Sequence, residues 1–85
     1  MTKKITLYTT DKCSSCLRAK ALLTQRRLAF EEVNLSRDPD GRAALAARTG
    51  MMTFPQVLVG EQTLGGFEAL AAADRDGRLA ELLAA

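Results

Sequence analysis

The chain has 85 residues, of which 47% are hydrophobic and 26% charged, and its net charge is +2. That length suffices for one hydrophobic core, so we predict a single domain over residues 1–85. The composition argues against disorder, and so small a charge argues against a nucleic-acid partner. No apolar run approaches the roughly 18 residues needed to span a bilayer, and no signal peptide is readable. We therefore expect a cytoplasmic protein that binds neither membranes nor nucleic acid.

Alternating polar and apolar residues predict a first strand over residues 4–9. The composition then favours a helix over residues 14–27, and we interpret its basic side chains, among them Arg18 and Lys20, as a solvated face. The apolar face of this helix is predicted from four residues that recur near the helical period, Leu17, Ala21, Leu22 and Leu28. A second strand is predicted over residues 30–35.

The local signals of the second helix are strong. Asp38 is a natural N-cap, Pro39 suits the first helical position, and Gly50 is a natural C-terminal stop. A third strand follows Pro55 over residues 56–59.

The last third of the chain predicts a hairpin and a helix. A fourth strand lies around residues 63–64. A helix over residues 67–73 is followed, after an interruption at Asp76-Gly77, by a last helical segment over residues 78–84. The order is β-α-β-α-β-β-α. Strands joined by a helix run parallel, and the hairpin adds an antiparallel pair. We therefore predict an α/β, thioredoxin-like fold: a four-stranded mixed sheet with helices on both faces.

Two cysteines, Cys13 and Cys16, and the absence of histidine are the most informative features of the composition. A disulfide-stapled secreted fold usually needs several bridges between distant segments. A zinc site within one chain needs about four ligands, and the further sulfur and nitrogen ligands are missing. We therefore predict no metal site and expect redox chemistry at the cysteines. Half of a zinc site, completed by a second subunit, is the remaining alternative.

The two cysteines are not expected to be equivalent. If the helix begins at Ser14, Cys13 lies at its N-cap, near free backbone N–H groups and the positive end of the helix dipole, with Lys12 as a neighbouring cation. These effects favour the thiolate, which is the form that attacks sulfur. Cys13 is thus the predicted nucleophile, and Cys16, one turn along the same face, is the predicted resolving thiol. The hydroxyls of Ser14 and Ser15 either donate to that thiolate or, in the case of Ser14, cap the helix.

Five short motifs, combined, make the chain similar to a known family. They are Tyr8-Thr9, Cys13-Ser14-Ser15-Cys16, Arg18-Ala19-Lys20-Ala21-Leu22-Leu23, Thr53-Phe54-Pro55-Gln56-Val57, and Leu64-Gly65-Gly66-Phe67-Glu68-Ala69-Leu70. With these motifs the chain resembles the glutaredoxin family over nearly its full length, as a dithiol member with a Cys-Ser-Ser-Cys active site.

The resemblance implies a glutathione-dependent thiol–disulfide oxidoreductase that has no tightly bound cofactor and uses glutathione as co-substrate. It implies a cis bond before Pro55, which leaves the backbone of Phe54 free to pair with an extended peptide such as glutathione. It also implies an anion site for the γ-glutamyl carboxylate at the amides of Phe67 and Glu68. The glutathione-binding residues that follow from it are Lys12, Ser15, Arg48, Thr53, Phe54, Pro55, Gly66, Phe67 and Glu68.

The chain departs from the family pattern at two positions where basic side chains are common, three residues before the first cysteine and four before the proline. Thr10 and Met51 stand there. Lys12 and Arg48 are candidate substitutes for holding the glycyl carboxylate of glutathione. Glu68 stands where aspartate or serine is frequent, and its carboxylate suits the glutathione ammonium but repels the carboxylate.

The main hypothesis is a monomer that reduces disulfide-containing and glutathionylated proteins with glutathione. One alternative is a thioredoxin-reductase-coupled redoxin that donates electrons to ribonucleotide reductase, which Gly66-Phe67 and the lost basic residues favour. Another is a [2Fe–2S] carrier, a dimer that binds the cluster through Cys13 and two glutathione thiolates. Cys16 argues against the carrier, because the clearest carriers in the family have one active-site cysteine.

Overall fold

The computed structural model describes residues 3–84; Met1, Thr2 and Ala85 of the predicted domain lie outside the described residues. The strands are β1 (Ile5–Thr9), β2 (Phe30–Asn34), β3 (Gln56–Val59) and β4 (Gln62–Gly65), and the helices are α1 (Ser14–Gln25), α2 (Pro39–Thr49), α3 (Phe67–Asp76) and α4 (Arg78–Ala84). Both helical segments predicted for the end of the chain are present, although the predicted order counted them as one final helix: α3 extends beyond the predicted residues 67–73 to Asp76, and α4 covers the predicted residues 78–84. Gly77, with φ of +85°, closes α3 in the left-handed conformation before α4 begins. Within residues 3–84, no helix is long and apolar enough to cross a membrane.

The sheet has the strand order β2-β1-β3-β4. β1 runs parallel to β2 and antiparallel to β3, and β3 runs antiparallel to β4. The predicted four-stranded mixed sheet is therefore confirmed. Because β1 and β3 are antiparallel, the end of β1 and the start of β3 lie at the same edge of the sheet, where Tyr8 pairs with Gln56. The segment after β1 and the segment before β3 thus emerge side by side.

The central strand β3 is buried on both faces, since all four of its residues are buried. Val57 and Val59 share one face with residues of β1, α1, α3 and α4. On the opposite face, Gln56 contacts Thr49 of α2, and Leu58 is 1% exposed. Helices therefore cover both faces of the sheet, as predicted. The core of the first face consists of Ile5, Leu7, Ala19, Leu23, Val57, Val59, Leu70, Ala73, Leu79 and Leu83.

The buried face of α1 differs from the predicted one. Its buried residues are Cys16, Ala19 and Leu23, whereas Leu17 is 62% exposed and Ala21 is exposed. The assignment of the last two to the apolar face is therefore wrong. The other two predicted residues pack at the margin of the core. The phase of the helix follows Cys16, which turns inward beneath the N-cap, so the positions three and seven residues later face the core.

The local signals of α2 are confirmed. The Asp38 carboxylate accepts a hydrogen bond of 2.8 Å from the N–H of Gly41, Pro39 is the first helical residue, and Gly50 ends the helix with φ of +77°. The helix ends just before the segment that carries Pro55.

Candidate active site

Cys13 and Cys16 form a disulfide at the start of α1. Cys13 occupies the N-cap position, as predicted, and its sulfur accepts a hydrogen bond of 3.2 Å from the N–H of Cys16. The two sulfurs differ in access, because Cys16 is 2% exposed and Cys13 is only half-buried. A substrate can therefore reach the sulfur of Cys13 far more easily than that of Cys16.

The segment before β3 lies against this disulfide. The Cys13 sulfur is 3.8 Å from the carbonyl oxygen of Phe54, and the predicted cis bond between Phe54 and Pro55 is confirmed. Among residues 3–84, Phe54 pairs its backbone with no other backbone group. Its N–H and C=O are thus available, next to the sulfur, to pair with an extended peptide.

The side chain of Gln56 supports this segment from beneath. Gln56 is 1% exposed, and its amide nitrogen donates hydrogen bonds of 3.0 Å to the carbonyl oxygens of Met51 and Thr53. Its amide oxygen accepts a bond of 2.9 Å from the Thr49 hydroxyl. A buried amide with its partners satisfied holds its neighbours in one arrangement. Gln56, which sequence reasoning missed as a site residue, therefore fixes the loop that presents Phe54.

An open groove of about 470 Å³ runs from this loop to the start of α3. It brings together seven of the nine residues predicted to bind glutathione, along with Arg18 and Ala69. Their roles stay predictions. The lining residues are Ser15, Arg18, Thr53, Phe54, Pro55, Gly66, Phe67, Glu68 and Ala69.

The sequence of residues 5–64 matches the family description Glutaredoxin. The chain belongs to the glutaredoxin family. It is therefore a thiol–disulfide oxidoreductase, with Cys13 and Cys16 at Cys-x-x-Cys spacing.

Glutaredoxins of known sequence and structure align with nearly the whole chain. It is 41% identical to a glutaredoxin from Pseudomonas aeruginosa over 95% of this chain and 96% of that protein. It is 35% identical to glutaredoxin 3 from Escherichia coli over 93% of this chain and 95% of that protein. The buckwheat glutaredoxin–glutathione complex superposes with a TM-score of 0.86 at 29% identity, covering 96% of this chain and 77% of the buckwheat chain. These alignments support the thioredoxin-like fold.

Two of the predicted glutathione-binding residues lie outside the glutaredoxin groove. Lys12 lines a separate depression, which Cys13 and Cys16 also line, and its backbone is left-handed, with φ of +54°. Arg48 is exposed in the last turn of α2. Neither cation is brought to the groove that holds the other seven residues.

The depression beside Lys12 holds one ion pair. The Glu32 carboxylate accepts a hydrogen bond of 2.7 Å from the Thr9 hydroxyl and lies 3.3 Å from the Lys20 ammonium. The Asp11 carboxylate there accepts a hydrogen bond of 2.9 Å from the Asn34 amide. Within residues 3–84, no group of three or more Cys, Asp or Glu side chains is placed to hold a metal ion.

The structure contradicts one predicted role of the serines between the cysteines, and the other, donation to a Cys13 thiolate, stays a prediction because Cys13 is disulfide-bonded here. Ser14 is the first residue of α1, so the proposal that it caps the helix is wrong, and the capping position belongs to Cys13. Among the residues that the structure describes, neither the Ser14 nor the Ser15 hydroxyl donates a hydrogen bond to the Cys13 sulfur. Ser15 instead lines the groove.

Arg18 is the groove residue that sequence reasoning missed. Its guanidinium lies over the ring of Phe67, 4.3 Å from the ring centroid, and the residue is exposed, in agreement with the predicted solvated face. The three-residue spacing from Ser15 is a signal that both share one side of α1. The approach of α3, which supplies Phe67, is a long-range contact with no local signal.

Proposed function

We propose that this protein is a glutathione-dependent dithiol glutaredoxin with a Cys-Ser-Ser-Cys active site, which reduces glutathione mixed disulfides and protein disulfides. Cys13 is the nucleophile and Cys16 the resolving thiol. The observation that carries the proposal is the accessible Cys13 sulfur 3.8 Å from the carbonyl of Phe54, whose backbone is unpaired among the described residues. A peptide paired with Phe54 has its own sulfur within reach of Cys13.

The start of α1 supports the nucleophilic role of Cys13. In the reduced protein, the Cys16 N–H and the positive end of the helix dipole stabilise a thiolate at the N-cap. That thiolate attacks the glutathione sulfur of a mixed disulfide, the substrate S–S bond breaks, and the protein thiolate leaves and takes up a proton. A second glutathione thiolate then attacks the glutathionylated Cys13, which releases glutathione disulfide and regenerates the Cys13 thiolate.

Cys16 serves the second reaction, in which the substrate is a protein disulfide. Cys13 first forms a mixed disulfide with one substrate sulfur, and the other substrate sulfur leaves as a thiol. The Cys16 thiolate then attacks Cys13, which releases the second substrate thiol and leaves the Cys13–Cys16 disulfide. Two glutathione molecules reduce that disulfide and become glutathione disulfide. The burial of Cys16 suits this internal role, because only Cys13 is open to a large substrate.

The groove is the proposed glutathione site. Phe54 offers a backbone N–H and C=O for the peptide, and Thr53, Pro55, Ser15 and Gly66 form its walls. The start of α3 adds the amides of Phe67 and Glu68, which suit a carboxylate. The buckwheat neighbour is a glutathione complex, which supports the same ligand here. We also propose that the charge of Lys12, next to Cys13 in the chain, favours the Cys13 thiolate. We propose no direct contact between Arg48 and the ligand.

The proposed site is complete within one chain, so we propose that the protein acts as a monomer. The reducing glutathione pool of the cytoplasm is the proposed source of its electrons.

A paired reductase assay tests the electron source. The protein reduces a glutathionylated peptide and an insulin-type protein disulfide with NADPH and either glutathione plus glutathione reductase or thioredoxin reductase. We expect turnover with the glutathione system. Turnover with thioredoxin reductase alone overturns glutathione dependence and favours the ribonucleotide reductase donor.

Cysteine variants test the assigned roles in the same assay. Cys13→Ser abolishes both reactions, whereas Cys16→Ser keeps reduction of the glutathionylated peptide and loses most protein-disulfide reduction. Thr24→Ser, at an exposed position of α1 outside the groove, is the control and keeps both. A Cys13→Ser protein with glutathione-dependent activity contradicts the assignment of the nucleophile.

A further inference from the structure

Arg18 is positioned at the groove by two contacts of α1. It lies one turn after Ser15, which lines the same groove, and its guanidinium rests on the face of Phe67. An arginine stacked on an aromatic ring keeps its N–H donors in the plane of the guanidinium, directed away from the ring face. The stacking therefore orients the donors while leaving them free.

The guanidinium of Arg18 has no hydrogen-bond or ion-pair partner among residues 3–84. Other arginines of the same chain are committed: Arg26 makes a forked pair with the Asp74 carboxylate, with N–O distances of 2.9 to 3.1 Å, and Arg42 donates to backbone carbonyls of the β2–α2 connection. Arg18 is thus an oriented cation beside the groove with its donors available. A planar fork of this kind fits a carboxylate in two-point fashion.

The charges of the groove identify which carboxylate fits. Arg18 and Glu68 are the charged side chains among the lining residues, so the groove presents one cation and one anion. The complementary ligand group carries a carboxylate and an ammonium together. In glutathione the γ-glutamyl end has both groups on one carbon, whereas the glycyl end has a carboxylate alone.

The first turn of α3 supplies further hydrogen-bond donors for a bound carboxylate. Gly66, at the N-cap, has no side chain to bond the first amides of the helix, and Phe67 is both the first residue of α3 and the ring beneath Arg18. A carboxylate at this place meets the guanidinium from one side and the helix amides from the other.

We propose that Arg18, stacked on Phe67, binds the α-carboxylate of the γ-glutamyl residue of glutathione and, with Glu68 at the ammonium, selects the zwitterionic end of the substrate. This inference rests on the proposed use of glutathione. Arg18 would act at the opposite end of glutathione from the glycyl carboxylate, and it would determine substrate choice and not sulfur chemistry.

The test measures selectivity. The reduced protein is mixed in a stopped-flow instrument with one peptide that carries its cysteine as a disulfide either with glutathione or with neutral 2-mercaptoethanol. The ratio of the two second-order rate constants reports recognition of the glutathione moiety. We expect Arg18→Gln to lower this ratio about fivefold to tenfold, the loss of one charge-assisted contact, and Arg18→Lys to lower it less. Arg75→Gln, the same charge change at an exposed site outside the groove, keeps the ratio.

An analogue of glutathione identifies the carboxylate. When the γ-glutamyl α-carboxylate is replaced by a primary amide, the wild-type ratio falls by more than in Arg18→Gln, because the contact with the α3 amides is lost as well, and Arg18→Gln loses less than the wild type does. Equal losses in both proteins, or an Arg18→Gln ratio within twofold of Arg75→Gln, overturn the role of Arg18. A wild-type ratio near one instead overturns the proposed glutathione dependence itself. Thermal melts of each variant show that the comparison is made on folded protein.

Discussion

The Thr49 hydroxyl, at the end of α2, donates a 2.9 Å hydrogen bond to the buried amide oxygen of Gln56, the first residue of β3. The bond joins the two ends of the segment that carries Phe54 and Pro55. Because the amide nitrogen of Gln56 also bonds two carbonyls within that segment, one side chain ties the helix, the strand and the loop together. The position of Phe54 beside Cys13 depends on this anchor.

Gln56→Leu removes the hydrogen-bonding amide and puts an apolar side chain of similar size in its place. We expect a loss of about 1–3 kcal/mol in the free energy of unfolding, because two carbonyls and a hydroxyl lose their partner. We also expect slower reduction of a glutathionylated peptide, since Phe54 is no longer held. Urea denaturation and the rate assay measure the two effects. Gln62→Leu, at an exposed position of β4, is the control, and equal stability of the two variants would contradict the anchoring role.

The two adjacent glycines before α3 are expected to differ when each is replaced by alanine. Gly65 has φ of +133°, and an added Cβ would lie 2.9 Å from the Cβ of Ala69. A Cβ on Gly66 would meet the Pro55 carbonyl oxygen at 3.5 Å, an ordinary contact. Gly65→Ala therefore costs more than about 1 kcal/mol of unfolding free energy, whereas Gly66→Ala changes it by about 0.5 kcal/mol or less. The urea midpoints of the two variants measure this difference, and a lower midpoint for Gly66→Ala than for Gly65→Ala would contradict the prediction.

Arg27 follows α1 in the left-handed conformation, with φ of +57°. The Arg27 N–H donates a hydrogen bond to the Thr24 carbonyl, and the Leu28 N–H donates one to the Leu23 carbonyl, each at 3.0 Å. This is a Schellman motif with arginine at the position where glycine is preferred. We expect Arg27→Gly to stabilise the protein by about 1 kcal/mol. Gln25→Gly, in the last helical position, should destabilise it by about 0.5–1 kcal/mol. Thermal melts that show both variants destabilised alike would be inconsistent with this reading of Arg27.

The Arg26–Asp74 pair joins the end of α1 to α3 and makes the free energy of unfolding depend on pH at low pH. Its hydrogen bonds, with the attraction between the two charges, hold the pKa of the Asp74 carboxyl below its ordinary value. The unfolded chain then binds the proton more readily, so the pair stabilises the fold fully above about pH 4, the ordinary range of an aspartate. The contribution is lost as the pH falls through the lowered pKa.

Asp74→Asn checks this linkage. The stability difference between wild type and Asp74→Asn, from urea midpoints, should be larger at pH 7 than at the lowest pH at which both proteins still fold. Glu61→Gln, at an exposed position away from the pair, is the control. A difference that is constant with pH would show that the pair adds no acid dependence.

The parts of the fold that the sequence predicts well are those with local causes. The bounds of α2 follow from Asp38, Pro39 and Gly50, whose side chains and backbone preferences act within one turn. The N-cap position of Cys13 is local in the same sense. The buried face of α1 is not, because Leu17 suits a core position as well as Leu23 does, and only packing against the sheet and α3 distinguishes them.

The candidate site divides in the same way. Seven of the residues predicted from the motifs lie at the groove. Which basic side chain joins them depends on how the helices pack, which the motifs do not specify. Lys12 is adjacent to Cys13 in sequence but lines a different depression from the groove, and Arg18 lies at the groove because α3, which carries Phe67, packs beside α1. The buried amide of Gln56 carries no sequence signal, since a glutamine in a strand gives no indication that its partners lie in the preceding loop.

The antiparallel pairing of β1 with β3 also has a consequence for protein synthesis. Ile5 pairs with Val59 and Tyr8 with Gln56. The residues of β1 therefore cannot pair with β3 until the ribosome has added about fifty more residues. During synthesis the cysteines are translated before Phe54, and non-local pairing of this kind forms late. The nascent chain therefore carries a cysteine pair without its peptide-binding loop, and substrate recognition begins only after most of the polypeptide has emerged.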